Sequence, residues 1–199
     1  MNAGQTSERV YDALKQRLMT GEFRPGARLD PNMLAASMSS SVTPVRDALH
    51  RLIGERIIET HTSTGFHLAT LYEPDLRDLF TWNARLLLEA MRWWRTPSSA
   101  TALPPASASR VQATRALFAH FGNLSASREI SSAIEATSDR LGAVREIEAK
   151  VIDLPSDELV RFAIAFGAGR AAIIREVRAY HRRRLNAVPA LVTALHRAA

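Results

Sequence analysis

The sequence predicts a mainly α-helical protein that carries one small β-hairpin. Three observations support this fold class. Apolar residues recur at three- and four-residue steps through most of the 199 residues, which is helical spacing. Helix caps and a Pro-Gly turn divide residues 1–56 into short helices. Residues 57–69, IIETHTSTGFHLA, instead place β-branched and apolar residues around a Ser-Thr-Gly turn, as a hairpin does.

The first two helices are predicted from apolar spacing and caps. Three apolar residues spaced four apart indicate a helix over residues 7–20, capped by Ser7 and ended by Gly21. A Pro-Gly turn follows, and Asp30 is placed to cap a second, shorter helix. The side chains expected to face inward from this second helix are Met33, Leu34 and Met38.

The third helix has the clearest start signal. Thr43 before Pro44 combines a hydroxyl cap with proline at the first helical position. Three helices and a hairpin, in this order, make a winged helix-turn-helix. The short second helix and its tight link to the third favour that fold over a small α+β module without a ligand. The apolar stripe expected on the third helix is Val45, Ala48, Leu49, Leu52 and Ile53.

The rest of the chain shows helical patterns without strand signals. A winged helix-turn-helix domain is therefore predicted over residues 1–72, and an all-helical bundle over residues 73–199. Residues 96–109 are rich in Pro, Ser and Ala and predict a flexible loop. The bundle helices are predicted at 75–95, 110–121, 127–151, 156–167 and 169–186.

Net charge permits a nucleic-acid partner but does not locate one. The chain carries a net charge of +6 and an isoelectric point near 10.6. Residues 1–70 contain eight basic and seven acidic side chains, whereas residues 71–199 contain eighteen and thirteen. A nucleic-acid interface in the first domain must therefore depend on where its charges lie.

Composition excludes several functional classes. The chain has no cysteine, so disulfides, cysteine-ligated zinc and thiol catalysis are excluded. No apolar run approaches the roughly 20 residues of a membrane helix, and the N-terminal residues lack the apolar core of a secretion signal. A cytoplasmic location is expected. A glycine-rich phosphate loop is missing and the six histidines are scattered, so an enzyme is not expected.

The first seventy residues resemble the GntR family of bacterial transcription regulators. The matching stretches are YDALKQRLMTGEFRPGARLDPNMLAASM, SVTPVRDALHRLIGERIIET and STGFHLA. The helical remainder is similar, more weakly, to the ligand-sensing domain of the branch related to the fatty-acid-responsive regulator. That similarity is carried by RLLLEAM, SDRLGAVR and GAGRAAIIREVRAYH. The resemblance implies a homodimer that binds a palindromic DNA operator, with a small-molecule effector in the helical domain.

The third helix is the expected recognition helix. Arg46 lies three residues beyond the Thr43 cap and can reach a phosphate or a guanine, while Ser41 and Thr43 can donate to phosphates. The alternative is that Arg46 pairs with Asp47 or Glu55 on a solvated face. The resemblance favours DNA contact. It also implies contacts from Arg28 and from the wing around Thr64, Gly65 and His67.

Val42 departs from the family pattern. The family usually has arginine at this position, one of two that read base edges. Valine cannot donate a hydrogen bond, although it can pack on a thymine methyl group. The operator is therefore expected to differ from the common family half-site at the base that this arginine would read.

The family's metal site is expected to be lost. Many members of the branch hold a divalent metal with one Asp and three His, and the resemblance places these at Thr114, Phe118, Leu159 and His181. Only His181 matches, and one imidazole cannot replace four ligands. No metal and no cofactor are predicted. Phe118 and Leu159 either fill the cavity or line a site for a more apolar molecule, and His181 is interpreted as a core residue.

Two further basic features are ambiguous. Arg85 matches a family arginine that pairs with an effector carboxylate, but it can equally pair with Glu89 one turn away. The run of residues 181–184, HRRR, ends a helix, where cations are favourable in any case. No specific site is assigned to it. Its expected contribution is limited to nonspecific DNA affinity.

The leading hypothesis is a ligand-responsive transcription regulator, expected to be a repressor. The alternative is a constitutive DNA-binding or interaction protein whose helical domain has lost ligand and metal binding.

Overall fold

The computed structural model describes residues 3–61, 65–94 and 109–197. The chain divides into two compact units, one of residues 1–71 with 195–199 and one of residues 72–194. Within the described residues the elements are α1 Ala3–Met19, β1 Arg28–Leu29, α2 Pro31–Ser37, α3 Val42–Gly54, β2 Ile58–His61, β3 Gly65–Leu68, α4 Glu73–Arg92, α5 Arg110–Asn123, α6 Arg128–Arg140, α7 Gly142–Val151, α8 Glu158–Ala168, α9 Arg170–Asn186 and α10 Val188–Arg197. The predicted fold class, a winged helix-turn-helix followed by an all-helical domain, is confirmed.

Helix α1 is longer than the apolar spacing predicts. It begins at Ala3, so Ser7 lies inside it and is not its cap. The four-residue spacing of Val10, Leu14 and Leu18 does mark the buried face, because all three side chains are almost inaccessible to solvent. The polar residues before Ser7 continue the helix without adding to this face, which is why the pattern missed them.

Helix α2 begins as predicted, but one of the three side chains expected to face inward is exposed. The Asp30 carboxylate accepts hydrogen bonds from the backbone N–H groups of Asn32 (2.7 Å) and Met33 (3.3 Å). Leu34 is buried and Met38 packs against the core, but the Met33 side chain is 72% exposed. Ala35 is buried instead, beside Leu34.

The turn between α2 and α3 is held by backbone bonds. Ser39 adopts a left-handed conformation with φ of 49°. This lets the Ser40 N–H donate to the Ala35 carbonyl at 3.0 Å, which closes the α2 end as a Schellman motif. Helix α3 ends in the same way, with Arg56 at φ 58° and the Ile57 N–H bonded to the Leu52 carbonyl at 3.1 Å.

Helix α3 begins one residue before the predicted cap. Ser41 is extended (φ −81°, ψ 162°) and is the N-cap, whereas Thr43 is already helical. The expectation that Thr43 caps the helix and Pro44 starts it is therefore wrong. Proline fits within the first helical turn because the N–H it lacks has no partner there. The apolar stripe is as predicted, with Ile53 only partly buried.

The hairpin is confirmed and gains a third strand. Strands β2 and β3 pair antiparallel, with Thr60 opposite Phe66. Strand β1 pairs with the other edge of β3, with Arg28 opposite His67. This strand has two residues and its partner lies far along the chain, so no local pattern indicates it. Ser63 and Thr64, in the predicted turn, lie outside the described residues.

The second unit differs from the prediction in two helices. The single helix expected over residues 127–151 is two, because the chain breaks at Leu141 between α6 and α7. Helix α10 was not predicted. Most of the loop expected at 96–109 lies outside the described residues, but Ser109 caps α5 by accepting from the Gln112 N–H at 3.2 Å.

Aromatic side chains fill the interior of the second unit. Phe118 is fully buried at its centre, with ring centroids 5.2 Å from Tyr180 and 6.0 Å from Phe162. Helices α5 and α6 approach closely at Gly122, where an added Cβ would lie 3.1 Å from the Cα of Ser131. Only glycine fits this contact without a shift of the backbone.

Candidate nucleic-acid interface

One face of α3 is exposed from its first turn to its middle. Thr43, Arg46 and His50 lie three and four residues apart, and all three are exposed. The opposite face is anchored in the core by Val45 and Leu49, which are fully buried. The helix therefore presents a hydroxyl, a guanidinium and an imidazole on one fixed surface.

The N-terminus of α3 is open. Within the described part of the chain, the Ser41 side chain makes no capping hydrogen bond, in contrast to Asp30 at the start of α2. The N–H groups of the first α3 turn thus carry the positive end of the helix dipole towards solvent. Such a helix end is suited to a phosphate group.

Arg46 has no partner among residues 3–61, 65–94 and 109–197. The alternative pairing with Asp47 or Glu55 is not observed there. Glu55 instead accepts from Tyr11 and forms an ion pair with Lys15 at 2.7 Å. The Arg46 guanidinium is therefore available to an external acceptor.

Two other arginines of the first unit are already paired. Arg51 contacts Glu8 at 2.8 Å and lies over the Tyr11 ring at 3.7 Å, and Arg17 contacts Glu22 at 2.5 Å. The hydrogen bond from Arg51 lowers the pKa of Glu8, and that from Arg17 lowers the pKa of Glu22. Arg17 and Arg51 are therefore less available to an external acceptor than Arg46 is.

The wing residues predicted to contact DNA differ in how exposed they are. Gly65 is exposed with φ of 84°, and Arg28 on β1 is also exposed. His67 is only 9% exposed, its Nδ1 lies 3.2 Å from the Gly65 carbonyl, and its ring is 4.8 Å from that of His61. The structure therefore does not present His67 for DNA contact as the sequence suggested. Thr64 lies outside the described residues.

Two α3 residues have roles that the sequence did not reveal. Val42 is half-buried and packs against the core of the first unit, so it is not a free surface for a thymine methyl group. His50 was not among the predicted contacts, yet it shares the exposed face with Arg46 and packs edge-on against Phe66 of β3 at 5.2 Å. Its four-residue spacing from Arg46 was the signal that could have identified it.

The positions expected for the family metal do not form a metal site. The Thr114 hydroxyl donates to the Arg110 carbonyl at 2.8 Å, Phe118 is buried, and Leu159 packs against the same core. Among the described residues there is no group of three or more His, Cys, Asp or Glu side chains that could hold a metal. Absence of bound metal stays a prediction, and elemental analysis of the purified protein checks it.

His181 is a buried neutral residue held on both sides. Its Nδ1 lies 2.7 Å from the Val177 carbonyl oxygen, and its Nε2 lies 3.0 Å from the Asn83 Oδ1. The pKa of His181 is lowered to about 3, chiefly by burial. The hydrogen bond with the Val177 backbone acts in the opposite direction and raises this pKa. Each ring nitrogen thus faces an oxygen of the protein interior, as expected for a core histidine rather than a ligand.

Two arginine assignments need correction. Arg85 is exposed, so it does not point into the bundle, and no pair with Glu89 is seen in the described residues. Glu89 bonds Arg92 and Trp93 instead. In the HRRR run, Arg184 is 1% exposed and lies between two buried carboxylates, so its charge cannot add to nonspecific DNA affinity.

Residues 6–68 match the model of the family described as bacterial regulatory proteins, gntR family. This stretch holds α3, its exposed face, and the wing. Residues 6–68 form a GntR-family helix-turn-helix domain. The recognition made from the sequence is thereby confirmed for this domain.

Curated relatives match stretches of 70 to 89 residues of this chain. The transcriptional repressor GlaR of Escherichia coli K12 is 34% identical over 43% of this chain and 38% of its own length. The Nta operon regulator of Aminobacter aminovorans is 40% identical over 35% of this chain and 33% of its own. The gluconate operon repressor of Bacillus subtilis is 34% identical over 45% of this chain and 35% of its own length. The chain thus spans less than half of each, and all three are named as regulators rather than enzymes, as predicted.

Solved structures extend the likeness of fold beyond the GntR-family domain. A GntR transcriptional regulator from Rhodococcus sp. RHA1 aligns with a TM-score of 0.72 over 96% of this chain and 99% of its own, at 17% identity. E. coli McbR/YncC aligns with a TM-score of 0.67 over 95% of this chain and 98% of its own, also at 17% identity. The helical second unit therefore shares its fold with such regulators. No helix in the described residues is both long and apolar enough to cross a lipid bilayer.

Proposed function

We propose that the chain is a cytoplasmic transcription regulator that acts as a repressor by binding operator DNA through α3. The GntR-family domain supports DNA binding, and two of the relatives are named as repressors. The observation that carries the proposal is the exposed α3 face, where Thr43 and Arg46 lie beside an uncapped helix start.

Each feature of this face suits a different part of DNA. Ser41, Thr43 and the free N–H groups of the first turn would bind phosphates, which fixes the position of the helix. Arg46 would reach a guanine edge or a phosphate from the major groove, with His50 one turn further along. Arg28 and Gly65 would approach the neighbouring groove or backbone from the wing.

A homodimer would match this domain to a palindromic operator. Two winged domains related by a two-fold axis would read half-sites about one DNA turn apart. The helical second unit would form the dimer and bind a small molecule. Effector binding would then shift the population between states that do and do not fit the operator.

One observation favours the second candidate function, a constitutive DNA-binding protein. Phe118, at a position where the family has a metal ligand, is fully buried and packs against Tyr180 and Phe162. A bundle whose interior is filled by its own side chains would bind no effector. Ligand screening by thermal shift separates the two, because only a sensing protein would be stabilised by an effector that also changes DNA affinity.

The DNA-binding proposal is tested by operator selection followed by fluorescence anisotropy at fixed salt. Arg46→Ala should weaken binding to the selected operator by about 1–3 kcal/mol, which is roughly 10- to 100-fold. Arg9→Ala, which removes an exposed charge from α1 of the same unit, is the matched control and should lose much less. Equal losses in the two variants would show that α3 does not read the operator.

A further inference from the structure

Two exposed imidazoles lie on the surface through which DNA binding is proposed. His50 is on the exposed face of α3, one turn beyond Arg46. His61 is the last residue of β2 and pairs with Gly65, so it lies at the end of the hairpin that the wing would present to DNA. The His61 side chain is 56% exposed. The contacts expected from the sequence included His67 and not His61, although His61 is the more exposed of the two.

Both imidazoles are held in place by strand β3. The His50 ring packs edge-on against Phe66, with centroids 5.2 Å apart, and the His61 ring packs edge-on against His67 at 4.8 Å. Phe66 and His67 are consecutive residues of β3, so their side chains point to opposite faces of the sheet. The two exposed imidazoles therefore flank one strand, and their packing reduces the side-chain freedom that would be lost on binding a partner.

The charged groups around His61 leave it open to an external anion. Its Nε2 lies 3.5 Å from Glu59 Oε1, which is a partner only when the imidazole is protonated. An exposed ion pair of this kind contributes little, so a phosphate can replace Glu59. On the other side, His67 is buried, with its Nδ1 3.2 Å from the Gly65 carbonyl oxygen, and it pairs across the sheet with Arg28 and Glu59. Because two touching imidazoles repel each other when both are charged, the exposed His61 is the one placed to carry a proton.

The charged groups around His50 are on its own helix. Arg46 and Asp47 precede it by four and three residues, and both are exposed. From β3, the observed ring contact is with Phe66, which carries no charge. A protonated His50 would thus extend the positive surface of α3 that begins at Arg46.

Protonation of these two residues would change the charge of the first unit substantially. Residues 1–70 hold eight basic and seven acidic side chains, a net charge of +1. Two protonated imidazoles would raise this to +3. Imidazole is the side chain that changes its charge between about pH 5 and pH 8. Each cation that neutralises a DNA phosphate strengthens binding by releasing counterions.

We propose that His50 and His61 bind DNA phosphates as imidazolium groups, so that operator binding takes up protons and tightens as the pH falls. The sign follows from linkage, because the partner that favours the protonated form is itself bound more tightly by that form. The inference rests on the proposed function, since operator DNA is the partner. It adds His61 as a contact and makes operator affinity depend on pH.

The test measures anisotropy of the selected operator with the full chain between about pH 8 and pH 6 at fixed salt. Affinity of the wild type should rise about tenfold or more over this range, by at most about tenfold per pH unit for each imidazole. His50→Gln and His61→Gln should each reduce the rise, and the double variant should nearly abolish it. His196→Gln is the matched control, because His196 is an exposed histidine of α10, and it should keep the full rise.

A lysine substitution tests whether charge is the cause. His61→Lys carries a positive charge throughout this pH range, so it should bind more tightly than the wild type at the upper end and show a shallower pH dependence. The salt dependence gives an independent readout. For the wild type, the slope of log K against log salt should steepen by about 1–2 from pH 8 to pH 6, and in the double glutamine variant it should not.

Proton uptake is also measured on the unmodified chain, by calorimetric titration with operator in buffers of different ionisation enthalpy. Zero uptake would overturn the inference whether or not the variants fold. A rise in affinity that survives in the double glutamine variant, or that is lost equally in His196→Gln, would overturn it too. Operator binding with a flat pH profile would sink this inference and leave the proposed function standing, whereas absence of operator binding at every pH would sink the proposed function itself.

Discussion

The two units of this chain place their charged side chains in opposite ways. Among the described residues up to 71, every Asp, Glu, Lys and Arg is at least partly exposed, and the ion pairs lie at the surface. In the second unit Arg145, Glu148, Glu158 and Arg184 are all at most 3% exposed. Surface charge suits contact with a long polyanion, whereas interior charge suits a small molecule that can be enclosed. The difference agrees with the proposal that the first unit binds DNA.

The largest expected effect comes from breaking the interior network. Arg184→Met leaves Glu148 without its cation and removes one of the cations on Glu158, and should reduce the free energy of unfolding by about 3–5 kcal/mol. Arg51→Met in the first unit removes an exposed pair with Glu8 and should cost only about 1 kcal/mol. Urea unfolding of the two variants measures both values. Similar losses would contradict the contrast between the units.

Acidification should weaken the second unit through His181. Its pKa is about 3 in the folded chain and about 6.5 when unfolded, so the unfolded state binds more protons between these values. Stability is therefore present above about pH 6.5 and is lost as the pH falls, by about 1.4 kcal/mol per pH unit. Urea unfolding at pH 7, 6 and 5 should show this slope, and His181→Gln should reduce it. An unchanged slope in the variant would assign the effect to other groups.

Changing the surface of the first unit should alter specificity more than stability. Val42→Arg adds a bidentate donor at the start of α3 and should favour guanine at one half-site position by about 1–3 kcal/mol. Parallel operator selections for the wild type and the variant measure this preference. Val42→Ala is the control, because it loses packing and gains no donor. Identical selected sites for all three would show that position 42 does not face the operator.

The smallest expected effect concerns the backbone between α2 and α3. Ser39 is left-handed, a conformation that costs a non-glycine residue about 1–2 kcal/mol, so Ser39→Gly should stabilise the protein by about 0.5–1 kcal/mol after the added chain entropy. Ala36→Gly, within α2, should instead destabilise by about 1 kcal/mol. Thermal unfolding distinguishes the two signs. A loss of stability in both variants would show that the turn gains nothing from glycine.

The sequence predicted the first unit well because its signals are local. The Asp30 cap, the apolar stripe of α3 and the hairpin each depend on neighbouring residues, and all three are found. Strand β1 depends on a distant partner and was missed. The break at Leu141 was missed because apolar spacing continues on both sides of it.

The interior charges of the second unit were harder to predict. Arg184 follows Val177, Tyr180 and His181 on one helical stripe, so its position was visible. Its charge argued for exposure, because an arginine is rarely buried unless paired. The carboxylates that bury it lie on α7 and α8, which the sequence does not place beside α9.

The open start of α3 carries a trade-off between stability and activity. Asp30 makes the capping bonds of α2, whereas Ser41 leaves those of α3 unmade within the described structure. Selection for heat resistance alone would favour aspartate at position 41, where a better cap gains about 1 kcal/mol. The same change would place a negative charge where a DNA phosphate is proposed to bind. In the free protein, this helix is less stable than it would be with a capping bond. The missing capping bond leaves its first N–H groups available to a partner.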